Sequence, residues 1–372
     1  MELLASFAQY YYFIYWFFIL LLTVNQFRRI NMSPSCSVIG QTFNYRPLLL
    51  FSVFFVLFWG YRPIFGPFGD TANYYRTYQL LHNFGVFNLE GSKDVGGDWI
   101  FNILMRLCAQ VIDAHLFFTI CISFYVFMMF AGCKKIDFRH CALLMLFCYG
   151  AFQFYPYAVN GIRNGIACSF VIMAVALLCK DEKGWALIWS FIAVGFHKSA
   201  ILPVVAMFFT YYVNKPKYMY LAWLGAIIVS LVIGEYIDNL LSLMSYDERL
   251  AGNLQVDDAD GIIMEHRFRW DFLLYSSMPI LLGWYSIFKR KMYNKTYLIL
   301  LGTYIYANAF WVLAIRAIFS NRIAYLSWFI YPIVLAYPLL NFPIFKKNHS
   351  KKTAWILLGN FCFTTILWLL GK

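Results

Sequence analysis

The sequence predicts an all-α fold, a polytopic helical integral membrane protein with about twelve transmembrane helices. Three observations predict it. Hydrophobic residues make up 62% of the 372-residue chain and charged residues only 13%, where soluble domains carry about 25% charge. The apolar residues fall in long runs, of the order of the ~20 residues that cross a bilayer. Short basic links separate those runs. A chain of this kind cannot hide its apolar surface from water, and lipid admits only backbone whose hydrogen bonds close internally. Residues 1–372 therefore read as a single transmembrane domain. Two outer polar loops, 62–98 and 235–271, interrupt it.

The first run is Phe7–Val24, and the preceding stretch lacks the basic leader of a cleavable signal. Arg28, Arg29 and Arg46 place the following link on the cytoplasmic side, because positive charge stays inside. Pro47–Tyr61 returns to the outer face. In the loop that follows, Pro63, Gly66, Pro67 and Gly69 oppose a straight helix. Helix resumes near Thr71, with Asp70 placed to cap it. Asp98–Asp113 is moderately amphipathic and is expected at the outer interface, lying flat or re-entering.

Ala114–Ala131 crosses inward to Lys134, Lys135 and Arg139, so Cys133 is expected on the inner side, shielded from an impermeant thiol reagent. Cys141–Tyr155 goes out and Ile162–Cys179 returns to Lys180 and Lys183. Gly184–Tyr212 is too long for one vertical helix and is broken by His197–Lys198. It reads as two short helices with an outer turn, placing Lys215 and Lys217 inside. Tyr218–Ile233, Phe272–Phe288, Tyr297–Leu313, Ile323–Leu340 and Ala354–Leu370 complete the map. On it, the inner links hold 18 of the 30 lysines and arginines but only 3 of the 18 acidic residues.

The formal charge of +12 follows from these links, so it marks membrane orientation and not a nucleic-acid partner. The 39 Phe, 28 Tyr and 12 Trp supply interfacial belts and, in part, the lining of a polymer-binding groove. The nine cysteines lie mostly in apolar runs without metal or paired spacing, so neither a disulfide framework nor a metal site is expected. There is no Gly-rich phosphate loop with its lysine, no HExxH zinc pattern and no DxD pair. ATP-driven transport and metal-held nucleotide sugars lose their usual signatures, and no cofactor is expected.

The polar residues at the outer mouth carry the functional reading. Asn160, Arg163 and Asn164 begin one apolar run, and His197, Lys198 and Ser199 end another. Arg62, Asp70, Arg76, Arg267, Arg269, Arg316 and Arg322 fall on the same side. Ionisable groups at this depth are costly and usually functional, although Arg163 and Lys198 can also snorkel to headgroups, and Arg267 and Arg269 can pair with acids in their own loop. Many cations at one face fit a multivalent anion, and arginine grips phosphate oxygens with several donors. A lipid diphosphate would sit at this depth. His197 can take a proton near neutral pH, and surrounding cations are expected to keep it neutral. Asp70 is the rival base. Gly161 and Gly165 are expected to permit close helix packing.

Four short motifs carry a family resemblance. They are Tyr61-Arg62 with Gly69-Asp70 and Tyr74-Tyr75, Asn160-Gly161-Ile162-Arg163-Asn164, Phe196-His197-Lys198-Ser199-Ala200, and Asn321-Arg322 with Tyr325. In order and separation the chain resembles the EpsG-type family of polysaccharide biosynthesis membrane proteins, related to the Wzy O-antigen and capsule polymerases. Asn164 stands where the family often has glutamine. The resemblance implies a bacterial inner-membrane protein whose active face is extracytoplasmic, acting in capsule, exopolysaccharide or O-antigen synthesis. It implies an undecaprenyl-diphosphate-linked oligosaccharide as substrate, with a chain-length regulator and a flippase as candidate partners.

The leading expectation is a polymerase. His197 or Asp70 is catalytic, while Arg163, Arg316, Arg322, Arg62 and Lys198 hold diphosphate. Asn160, Asn164, Tyr74, Tyr75, Arg76, Ser199, Arg267 and Arg269 bind the acceptor or give support. A lipid-linked oligosaccharide flippase, a polysaccharide ligase and a polysaccharide acyltransferase are the alternatives.

Overall fold

The structure is a computed structural model, and it describes residues 2–33, 45–64, 68–84, 98–244, 268–317 and 320–369. Among the described residues the secondary structure is entirely helical. Six helices are long and apolar enough to cross a membrane: Ala8–Met32, Ala114–Ile136, Pro216–Gly234, Lys295–Leu313, Ser320–Asn341 and His349–Leu369. These coincide with six of the expected crossings. The remaining expected crossings fall on shorter helices.

The shortening has local causes. One run expected to cross stops after the helix Cys141–Tyr149, turns at Gly150, and restarts as the six-residue helix Phe154–Val159. Pro156 sits in the first turn of that restart, where its missing N–H costs nothing. The chain then breaks at Asn160–Gly161 and begins Ile162–Leu178. Lys183–Phe196 ends at His197, whose φ of −156° and ψ of 118° are extended, and a single 3-10 turn at Lys198–Ala200 leads into Ile201–Tyr212. The interruption at His197 is thus where the polar residues suggested it.

In chain order the helices are α1 (Glu2–Met32), α2 (Arg46–Gly60), α3 (Thr71–Phe84), α4 (Trp99–Ala109), α5 (Ala114–Ile136), α6 (Cys141–Tyr149), α7 (Phe154–Val159), α8 (Ile162–Leu178), α9 (Lys183–Phe196), α10 (Ile201–Tyr212), α11 (Pro216–Met244), α12 (Trp270–Trp284), α13 (Lys295–Leu313), α14 (Ser320–Trp328), α15 (Tyr331–Asn341) and α16 (His349–Leu369). They form two compact units, Met1–Ile201 with Ala336–Lys372, and Leu202–Leu335.

In the first unit α8 is the axis. It packs against α5, α7 and α9 and is buried around nearly its whole circumference. Small residues allow the approach, as expected where lipid gives helices no hydrophobic drive to associate. Gly132 of α5 lies against Ile172, Gly165 of α8 lies against the backbone of Tyr157, and Ala186, Ser190 and Ala193 form the buried face of α9. Trp185, Leu187, Ile188 and Phe191 cover the outward face of α9. Elsewhere α1 packs on α16, and α2 on α5.

In the second unit, buried polar side chains join the helices. Trp223 Nε1 donates to Asn308 Oδ1 at 2.9 Å, and Asn308 Nδ2 donates to Ser327 Oγ at 3.0 Å. Trp328 Nε1 donates to Ser276 Oγ at 2.7 Å, while Tyr304 donates to the Ser276 carbonyl at 2.7 Å. Helix α11 kinks at Ile233, which has non-helical φ and ψ.

The described cysteines are free thiols. Cys133 is fully buried, so its shielding from a reagent would report packing and not sidedness. Phe138, at 72% exposure beside Lys134, Lys135 and Arg139, is the better probe. A Phe138→Cys variant in a cysteine-free background should resist an impermeant maleimide in intact cells and react once the membrane is opened; labelling in intact cells would reverse the expected orientation.

Candidate functional site

Three helix ends in the first unit meet at one carboxylate. Asp98 occupies the N-cap position of α4 but makes no capping bond to its own helix. Its carboxylate turns to the neighbours instead. Oδ2 accepts from Arg163 Nη1 at 2.6 Å and lies 2.9 Å from His197 Nδ1, and Oδ1 accepts from the Lys198 backbone N–H at 2.9 Å. The side chain of Asp98 is only 2% exposed. Burial pushes the Asp98 carboxyl up, but the His197 hydrogen bond, followed by the charges of His197 and Arg163 and the Lys198 N–H, outweighs it and holds the group below its ordinary value of 3.8.

Each partner reaches this point for a reason in its own helix. Arg163 sits in the first turn of α8, the positive end of the helix dipole, where a cation is disfavoured by itself. Asp98 offsets that cost. Tyr74 of α3 adds to the clamp: Arg163 Nε donates to its hydroxyl at 3.1 Å, and the guanidinium lies 5.4 Å from its ring centroid. His197 follows the last turn of α9, its backbone N–H closing on Ala193. The extended conformation there swings the imidazole out of the helix line towards Asp98.

With Asp98 ionised, Nδ1 of His197 is the donor to it. In the neutral ring Nε2 carries the lone pair, which is the arrangement a general base needs. The Lys198 ammonium is exposed and makes no ion pair among the described residues. The sequence-based expectation surrounded His197 with cations; its nearest charged contact is in fact a carboxylate.

A second joint holds the first motif against the second. Gly69 adopts φ of +69°, and a Cβ there would strike the Asn160 side chain. Asn160 Oδ1 accepts from the Asp70 N–H at 2.8 Å. Asp70 is partly exposed and stands at the cap position of α3, its carbonyl accepting from Tyr74 N–H at 3.0 Å. It acts electrostatically on both Tyr74 and Arg163.

The sequence groups Arg62 with the diphosphate cations; the structure instead places it wholly inside the fold, at 0% exposure. Its guanidinium donates to the Trp59 carbonyl at 2.7 Å, to the Val159 carbonyl at 2.9 Å and to Thr71 Oγ1 at 2.9 Å. It satisfies carbonyls left open where α2 and α7 end, a need that is acute where water is scarce.

The other expected site residues divide. Asn164 is part-buried and accepts from the Cys168 thiol at 3.4 Å, Ser199 is half-buried in the turn after His197, and Tyr75 and Arg76 lie on α3 with Arg76 exposed. Arg269, Arg316 and Arg322 belong to the second unit. Arg269 forms an ion pair with Asp271 at 2.8 Å and stacks over Phe272 at 3.6 Å, as the local-pairing alternative anticipated. Arg316 lies over Phe268 at 5.6 Å and against Gly234, with Nε buried and unpartnered among the described residues. Arg322 is exposed. Arg267 lies outside the described residues.

Sequence reasoning missed Asp98 as a site residue. The available signal was an acid directly preceding the apolar segment that starts at Trp99, at the same face as Arg163 and His197. Among the described residues, no cluster of three or more His, Cys, Asp or Glu has metal-binding geometry.

A bundle of apolar helices whose broken ends gather a carboxylate, a guanidinium and an imidazole is a polytopic membrane protein with a charged site at one end of its helices. More narrowly, the chain belongs to the EpsG family, whose sequence profile matches residues 46–372. It is accordingly a membrane protein of the polysaccharide-biosynthesis type. No curated protein and no solved structure matches it.

Asp98→Ala should lower stability by roughly 3–5 kcal/mol, the cost of stripping one partner from a buried ion pair, measured as a fall in the unfolding midpoint. The effect carries a pH signature. Because the folded pKa lies below 3.8, the contribution is complete above that value and disappears as pH falls through the folded one. The stability gap between wild type and Asp98→Ala should stay constant near neutrality and close in acid. Separately, Gly69→Ala should cost roughly 1–3 kcal/mol, because it places a side chain at a left-handed position and into Asn160.

Proposed function

We propose that this EpsG-family protein is a polysaccharide polymerase, a membrane glycosyltransferase acting on the extracytoplasmic side of the bacterial inner membrane. It moves an oligosaccharide from an undecaprenyl diphosphate to a hydroxyl of a lipid-linked acceptor repeat unit. One observation carries this reading beyond the family: His197 is held by a buried carboxylate at 2.9 Å, at a site that also contains Arg163. A flippase has no need of an oriented base, whereas glycosyl transfer to a hydroxyl does.

In this reading Nε2 of His197 takes the proton of the acceptor hydroxyl. The acceptor oxygen forms the new bond to the anomeric carbon as the bond from that carbon to the diphosphate oxygen breaks. The electron pair leaves with the lipid diphosphate, and the proton is carried on the imidazole until released. Asp98 holds the ring in the productive tautomer and stabilises the imidazolium. Lys198 offers an exposed ammonium to the departing diphosphate. Arg163 is fixed by Asp98 and Tyr74 and supplies a rigid positive edge to the same site. Arg316 and Arg322 are further phosphate-binding candidates on the second unit. Asp70 is the alternative base.

Two measurements test the proposal. In a deletion strain, polymerase loss leaves single lipid-linked repeat units on the outer face. Units trapped on the inner face would indicate a flippase, long lipid-linked polymer a ligase, and full-length polymer lacking a substituent an acyltransferase. With purified protein at matched abundance, His197→Gln should retain donor binding and lose roughly 100-fold or more in turnover. Near wild-type turnover would make His197 structural and move the base to Asp70. Arg163→Lys keeps the charge but cannot serve Asp98 and Tyr74 with one planar fork, so polymer output should fall; undiminished output would remove Arg163 from the mechanism.

A further inference from the structure

In the second unit one arginine keeps donors that nothing described beside it accepts. Helix α13 packs along α11, and Arg316, in the turn that follows α13, comes against α11 at its kink. The point where a Gly234 side chain would begin lies 2.7 Å from Arg316 Nε, so any larger residue there would push the guanidinium aside. The ring of Phe268 stands 5.6 Å from the guanidinium carbon. Nε is buried and has no hydrogen-bond partner, and among the described residues Arg316 enters no ion pair. Asp271, the acid on the segment after Phe268, is engaged by Arg269 at 2.8 Å.

A second polar group meets the same point. Ser230 lies one turn before Gly234 on α11, and its Oγ is 3.6 Å from the position of that absent side chain. Ser230 is 0% exposed, and its Oγ has no hydrogen-bond partner. Other helical hydroxyls of this unit behave differently: Thr210, Ser286 and Thr303 each donate to the carbonyl four residues back, at 2.7, 2.8 and 2.7 Å. Ser230 leaves the corresponding Ala226 carbonyl alone and stays on the Gly234 face. Buried polar groups are nearly always partnered, and a cation at the end of apolar helices is costly without a counterpart. A guanidinium has donors and no acceptor, and a hydroxyl can add one donor more. The missing partner is therefore an acceptor that carries negative charge. Arg316 is partly exposed and Ser230 is not, which gives the pocket a mouth and a floor.

We propose that Arg316, Ser230 and the space kept open by Gly234 form an oxyanion pocket that takes one phosphate group of a polyprenyl diphosphate. The planar guanidinium holds phosphate oxygens through its fork, and Ser230 donates to an oxygen of the same group. This rests on the reading of the protein as one that acts on lipid diphosphates, and it adds to that reading two uncharged residues, Ser230 and Gly234. Arg163 spends its guanidinium on Asp98 and Tyr74, whereas the buried Nε of Arg316 is unspent. The second unit therefore supplies the firmer grip on phosphate.

The test is calorimetric titration of the purified full chain in detergent with farnesyl diphosphate, with farnesol and phosphatidylglycerol as comparison ligands. Arg316→Gln should weaken farnesyl diphosphate binding by about 10-fold or more, and Ser230→Ala by about 3-fold or more. Gly234→Ala removes neither donor but displaces the guanidinium, so it should weaken binding too. None of the three should alter binding of farnesol, which has the same chain and no phosphate. Thermal unfolding checks that each variant is folded; if Arg316→Gln is not, Arg316→Lys replaces it, keeping the charge and losing the fork. Unchanged diphosphate affinity in the folded Arg316 and Ser230 variants would overturn the proposal. So would phosphatidylglycerol competing as well as farnesyl diphosphate, which would make the pocket a headgroup site for bulk lipid. The lipid-linked intermediates of the deletion strain decide the polymerase reading separately, so the pocket can fail while that reading stands.

Discussion

The first unit depends on one buried negative charge. Asp98 brings together the start of α4, the start of α8 and the end of α9. A buried ion pair is weak support for stability in general, because desolvation opposes attraction. Here the lone pairs of the carboxylate are used three times, by a guanidinium, an imidazole and a backbone N–H. That degree of satisfaction is what makes a charge tolerable at the end of apolar helices. It also sets geometry: the rotamer of His197 and the reach of Arg163 are fixed by the same oxygen, Oδ2.

Around this point, the interruptions of the helices matter as much as the helices. Breaks at Gly150, Asn160–Gly161 and His197 bring backbone groups to the helix ends, and each requires a partner. Arg62 and Thr71 serve the Val159 carbonyl, and Asn160 serves the Asp70 N–H. The polar motifs are therefore of two kinds. Some close the backbone where it leaves the helical path, and some face the site.

That distinction explains what could be read from the chain and what could not. The apolar runs and basic links were sufficient for an all-α membrane protein, and the polar residues at the ends of two runs identified Arg163 and His197. Hydropathy averages over single residues, so it could not see that Gly150 or Asn160 shortens a helix. Arg62 and Arg163 look alike in sequence, since a cation facing a carbonyl and a cation facing a site use the same residue. Asp98 was harder still: an acid before an apolar segment reads as a cap, and its partners lie 65 and 99 residues further along.

Those separations bear on how the protein is made. Chains emerge from the ribosome at roughly 5–20 residues per second, and the N-terminal part folds first. Asp98 is therefore synthesised about 5–20 s before His197, with Arg163 arriving between them. Until Arg163 is made the carboxylate has neither side-chain partner, and a lone charge is cheapest where water can hydrate it. The Arg163 contact becomes possible once α8 has been made, and the contacts to His197 and the Lys198 N–H only after α9, so this one charge gains its full set of partners late in synthesis.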